Sequence, residues 1–125
     1  MHPAEKYVGM AYCSRTFDCC DFVLHVLSRE HGMDVRVDSR RPRGAAGRAA
    51  LGDLSKQRLV PEPRPRDGDV VLMRTSRGWH VGLHYKIHGE PWVLHCPADR
   101  GHSVLDRARD AHIKIEGYYT WPTAA

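Results

Sequence analysis

The chain has 125 residues, 42% of them hydrophobic, and a formal charge of +4. That length supports one core and excludes two, so residues 1–125 are read as a single domain. No apolar run reaches the roughly 20 residues of a membrane span. Met1-His2-Pro3-Ala4-Glu5-Lys6 lacks the basic and then apolar build of a secretory signal, so neither a span nor an export leader is expected.

The first segment, through Tyr12, reads as a short helix or turn. Asp18-Cys19-Cys20-Asp21-Phe22-Val23 then opens an amphipathic helix, with Cys19, Phe22, Val23, Val26 and Leu27 at helical spacing. Asp18 is a suitable N-cap, and Asp21 three residues on completes a capping box. His31-Gly32 reads as the helix stop, the glycine supplying the left-handed cap. A loop rich in Arg, Pro and Gly follows, with Arg36, Arg40, Arg41, Arg43 and Arg48 crowded together, and residues 44–59 suggest a second, weaker helix. Pro61, Pro63 and Pro65 end it, and Arg66-Asp67-Gly68-Asp69 is a turn signal. Val70 to Met73, Trp79 to Tyr85, Trp92 to Leu94 and Ile113 to Tyr119 are rich in β-branched and aromatic residues, and they predict three to five antiparallel strands. Helices first and sheet afterwards is the α+β pattern.

Cys19 falls in the first turn of its helix, where unpaired N–H groups and the helix dipole favour thiolate over thiol. In Trp79-His80-Val81-Gly82-Leu83-His84-Tyr85, alternation puts Val81, Leu83 and Tyr85 on a core face and His80, Gly82 and His84 on the other. Gly82 is expected to leave open space beside His80. His95, on the next antiparallel strand, can then stand beside His80. A cysteine, a histidine base and a third polar group orienting that base form the layout of an activated nucleophile. A metal site drawn from Cys19, Cys20, His80, His84, His95 or Cys96 is the rival reading, but the spacings of known metal motifs are missing, and no metal or cofactor is expected.

In order, Asp18-Cys19-x-x-Phe22-Val23, Gly68-Asp69-Val70-Val71, His80-Val81-Gly82-Leu83 and Val93-Leu94-His95 resemble the motifs of the NlpC family of cell-wall cysteine peptidases. The resemblance implies a minimal papain-like fold, with helices packed on a small antiparallel sheet. It also implies Cys19 as nucleophile, His80 as base and His95 as orienting group, with the Cys19 backbone N–H helping to hold the oxyanion. Tyr12 looks like the family's tyrosine upstream of the nucleophile and, with Asp18, is placed at the substrate and oxyanion side of the site. The implied substrate is the peptide stem of peptidoglycan, commonly at the D-glutamyl-diaminopimelate bond. The helix ending in His-Gly before an extended stretch is similar to that of peptidases from phage tail gene clusters. That implies other tail proteins as partners, residence in the virion or in host cytoplasm before assembly, and action at the cell wall.

Cys20-Asp21 departs from the family's Ser-Gly and adds bulk beside the nucleophile, which leaves room for a tail-tip structural protein that keeps the fold without turnover. A related amidase family usually has an acidic residue or asparagine as third group, and Val93-Leu94-His95 points away from it. The four cysteines are expected as free thiols, with Cys13, Cys20 and Cys96 in packing roles. His84, on the same strand face as His80, is read as a rim residue of the cleft with the role of base as its alternative, and Trp79 and Trp92 as core or cleft wall. The arginine cluster reads as a solvated loop, with no nucleic-acid module to accompany it.

Overall fold

A computed structural model describes residues 2–33, 60–61, 64–76, 78–110 and 114–120. A 3-10 helix, Pro3–Tyr7, is followed by α1, Cys19–His31. The strands are β1 (Val60–Pro61), β2 (Val70–Thr75), β3 (Gly78–Ile87), β4 (Glu90–His95), β5 (Val104–Arg107) and β6 (Lys114–Thr120). They form one sheet in the order β1-β6-β2-β3-β4-β5, antiparallel throughout. The architecture is α+β, as the order of hydrophobic patterns indicated. The expected helix over residues 44–59 and the arginine cluster lie outside the described residues.

The two ends of α1 are set by the residues that the pattern named. Asp18 accepts hydrogen bonds from the backbone N–H groups of Cys20 and Asp21, both at 3.0 Å. Asp21 returns the interaction by accepting from the Asp18 N–H. At the other end Gly32 sits at φ 63°, the left-handed cap. His31 Nε2 lies 2.7 Å from the Tyr85 hydroxyl and its ring stacks on that tyrosine, which pins the last turn to β3. Between these ends Phe22, Val23, Val26 and Leu27 are buried against Val81, Leu83, Tyr85 and Leu94. Each such side chain contributes on the order of 1.5–3 kcal/mol by leaving water, so α1 is fixed by the sheet face it covers.

The register of β3 decides the site. Val81, Leu83 and Tyr85 face α1, and His80, Gly82 and His84 face the other way. Opposite them, Met73 pairs with His80, Gly82 with His95, and His84 with Val93. The turn from β3 to β4 is a two-residue hairpin, with His88 at φ 50° and Gly89 at φ 79°. Positive φ at both centres is the turn that matches strand twist and fixes register.

The short strand β5 was absent from the sequence expectation. It is steered by its approach: the Ser103 hydroxyl donates to the Tyr7 carbonyl at 2.6 Å and accepts from the Met10 N–H at 2.8 Å. The Gly9 and Tyr12 N–H groups bond to the carbonyls of Ser103 and Gly101. The N-terminal segment thus holds the loop into β5, a long-range pairing that no local pattern announces.

The space over Gly82 is occupied, contrary to the open gap expected there. A Cβ at this position would lie 2.9 Å from His95 Cβ and from Val93 Cγ1, and 3.0 Å from the Leu94 carbonyl oxygen. The missing side chain lets β4 close over β3. Gly82→Ala should therefore lower stability by about 1–3 kcal/mol, the range for overpacking a dense core, as measured by urea unfolding. An unchanged midpoint would show that the strand pair absorbs a methyl group without shifting.

Candidate active site

Cys19 is the first residue of α1 and is 7% exposed. The cap spends the N–H groups of Cys20 and Asp21 on the Asp18 carboxylate and does not use that of Cys19. Burial is the largest influence on the thiol and pushes it up to about 12. The backbone N–H of Val81 pulls in the opposite direction, while the nearby Asp18 carboxylate adds to the rise. The thiolate expected at the helix start is corrected by this balance, because lost hydration outweighs the donors of one helix turn. In its resting surroundings the sulfur keeps its proton unless a base beside it takes that proton.

Val81 is the residue next to His80, so the backbone that approaches the sulfur belongs to the strand that carries the imidazole. His80 is buried, and its Nε2 lies 2.8 Å from His95 Nδ1. The two rings meet edge to face, with centroids 5.0 Å apart. His95 therefore stands on the Nε2 side of the His80 ring. His95 is 1% exposed and carries a second bond, from Nε2 to Asp106 Oδ2 at 2.9 Å. Arg100 Nη1 stands 3.7 Å from the same oxygen. The structure therefore brings His80 and His95 into direct contact and sets Cys19 against the adjoining backbone.

Asp106 was missed by the sequence reading. The only local sign was Val104-Leu105-Asp106-Arg107, an alternation too short to name a strand. Pairing of Val93 with Asp106 and of His95 with Val104 puts this carboxylate on the histidine face.

The remaining sequence candidates separate by burial. Tyr12 is half-buried and packs against the main core, with its backbone N–H bonded to Gly101. Asp18 caps α1 beside Cys19, and its carboxylate accepts only, so it cannot itself donate to an oxyanion. Cys20 and Cys96 are buried, in keeping with packing roles. Cys13 is exposed, unlike the packing role expected, because it begins a tight turn closed by reciprocal backbone bonds with Phe17. His84 is 4% exposed rather than a rim residue, since the Tyr118 ring lies edge-on to it at 5.5 Å. Trp79 packs on the core under the Arg74 guanidinium, and Trp92 carries Arg107 over its ring.

The Cys20-Asp21 pair that departs from the family's Ser-Gly is held by packing and by the helix cap. Cys20 turns into the core, and the Asp21 carboxylate is tied back to the Asp18 N–H. Among the described residues no group of three or more His, Cys, Asp or Glu side chains is placed to hold a metal ion. No described helix is long and apolar enough to cross a membrane. A groove of about 1080 Å³ runs past Trp92, Leu105 and the 3-10 helix, and Arg100 links its edge to the site.

A buried thiol at a helix start, a neighbouring strand that carries one imidazole and a second imidazole in contact with the first are the groups of the candidate site. No match was found among curated proteins or solved structures. The family model described as NlpC/P60 family matches residues 5–116, a span that contains Cys19, His80, His95 and Asp106. The chain belongs to the NlpC/P60 family, whose members are typically cysteine peptidases of the cell wall.

Proposed function

We propose that this protein is a peptidoglycan peptidase in which Cys19 is the nucleophile, His80 the base and His95 the group that orients His80. The observation that carries the reading is the 2.8 Å contact between His80 Nε2 and His95 Nδ1, on a strand whose next backbone N–H approaches the Cys19 sulfur. The Cys19 proton passes to His80 Nδ1 as sulfur bonds to the substrate carbonyl carbon. The oxyanion that forms takes the Cys19 backbone N–H, in the manner of other preorganised donors. His80 then protonates the leaving amine as the carbon–nitrogen bond breaks. Water, deprotonated by His80, hydrolyses the thioester and restores the thiol.

The high resting position of the thiol is compatible with this sequence. Proton transfer within a buried pair replaces one neutral pair with one ion pair, and no isolated thiolate has to be stabilised. The substrate proposed is the anionic peptide stem, cut at the D-glutamyl-diaminopimelate type of bond, and the chain's +4 charge suits such a partner. A place in a phage tail, with other tail proteins as partners and delivery to the cell wall, is the finer proposal. It rests on the likeness of the helix that closes at His31-Gly32. Mass analysis of purified virions would detect the chain, and its absence there would remove the tail role while leaving the peptidase intact.

Cys19→Ala and His80→Ala should each abolish release of stem peptides from purified peptidoglycan while the proteins still fold, as urea unfolding would show. Cys20→Ala should leave the rate within about threefold, since a core packing change acts mainly on stability. Equal loss in Cys20→Ala would overturn the choice of nucleophile, and an inactive wild type with all motifs in place would favour a structural tail protein.

Alkylation of Cys19 followed against pH gives the second check. With His80 present, labelling should proceed near neutral pH. In His80→Ala, with no base beside it, the thiol should keep its proton near neutral pH, so labelling should be much slower there and rise only as the solution is made alkaline. Identical profiles for the two proteins would show that His80 does not take the thiol proton.

A further inference from the structure

We propose that Asp106 is a positioning residue that sets the proton arrangement of both histidines. The inference rests on the peptidase reading for its kinetic consequence, and on geometry alone for the proton arrangement. Asp106 Oδ2 lies 2.9 Å from His95 Nε2, and His95 Nδ1 lies 2.8 Å from His80 Nε2. These two contacts make one chain of three side chains across β5, β4 and β3.

The chain has one consistent set of donors. An ionised carboxylate can only accept, so the hydrogen of neutral His95 must be on Nε2. Nδ1 of His95 is then a lone pair, and His80 must donate to it from Nε2. That leaves a lone pair on His80 Nδ1, the atom the thiol proton needs. Each ring is fixed by the hydrogen bond its far nitrogen makes, as in other oriented histidines. If position 106 donated instead, every bond in the chain would reverse, and the His80 nitrogen needed by the thiol would already hold a proton.

Two features support an accepting Asp106. Arg100 Nη1, 3.7 Å from the same carboxylate oxygen, places positive charge beside it. His95 is 1% exposed, so water does not compete for its ring nitrogens and its two side-chain partners determine which one is protonated. Asp106 itself is one quarter exposed at its side chain, so small ions can reach the position if the carboxylate is removed.

The test is nitrogen NMR of protein labelled with 15N in histidine, which distinguishes protonated from unprotonated ring nitrogens. In wild type at a pH where both rings are neutral, His80 and His95 should each carry hydrogen on Nε2. In Asp106→Ala no acceptor holds the His95 Nε2 hydrogen, and both rings should become mixtures of the two neutral tautomers. Unchanged ring assignments in Asp106→Ala, or a wild-type His95 protonated on Nδ1, would overturn the proposal. This readout needs no substrate, so it stands apart from any failure of the peptidase reading.

Kinetics supply the second arm. Asp106→Ala should lower kcat about 10–100-fold with KM little changed, the usual scale for loss of an orienting partner behind a reacting group. Added formate should restore part of that kcat by supplying the missing carboxylate. A loss confined to KM, or a loss of kcat that formate does not relieve in a folded variant, would make Asp106 a structural residue.

Discussion

The close pairing of β3 with β4, beside the bond between His80 and His95, depends on a side chain that is absent. Gly82 pairs with His95 across β3 and β4, and a methyl group at that position would meet His95, Val93 and the backbone of Leu94 at 3.0 Å or less. That close crossing lies beside the point where the two imidazoles, on neighbouring strands and two residues apart in register, meet at 2.8 Å. The sheet pairing that makes the hydrophobic face therefore also makes the polar one. One face of β3 seals α1 with Val81, Leu83 and Tyr85, and the reverse face presents His80 to its partner.

The position of Cys19 shows two physical effects in competition. The first turn of a helix offers N–H donors and a positive dipole end, and both favour thiolate. The same turn is pressed into the core, and lost hydration is the larger effect, so the thiol is pushed up to about 12. A buried thiol is slow to react while it is neutral, because the thiolate is the reactive form. In the mechanism proposed above, reactivity depends on transfer of its proton to His80, which ties nucleophile and base into one unit. The capping box of Asp18 and Asp21 contributes by fixing where the helix begins and therefore where the sulfur meets β3.

Much of this was legible in the residues. The ends of α1 could be read because caps are local chemistry, and Asp18, Asp21 and Gly32 take the conformations their types favour. Strands β2, β3, β4 and β6 were readable from β-branched and aromatic runs, and alternation along β3 assigned His80 and His84 to one face. Strand β5 was not readable, because four residues carry little periodicity and its path is set by Ser103 bonding to Tyr7 and Met10 nearly a hundred residues away. Asp106 was hidden for the same reason. The burial of His84 and the exposure of Cys13 also escaped the sequence, since Tyr118 covers one from a distant strand and a turn ending at Phe17 turns the other outward.

The most direct test of the central claim is to trap the acyl-enzyme. Wild-type protein would be mixed with purified peptidoglycan, quenched in acid within the turnover time, and digested for mass mapping. A stem-peptide mass carried as a thioester on Cys19, and lost in Cys19→Ser, is the predicted result. Peptide release with no adduct on Cys19, or with the adduct on Cys20 or Cys96, would contradict the account.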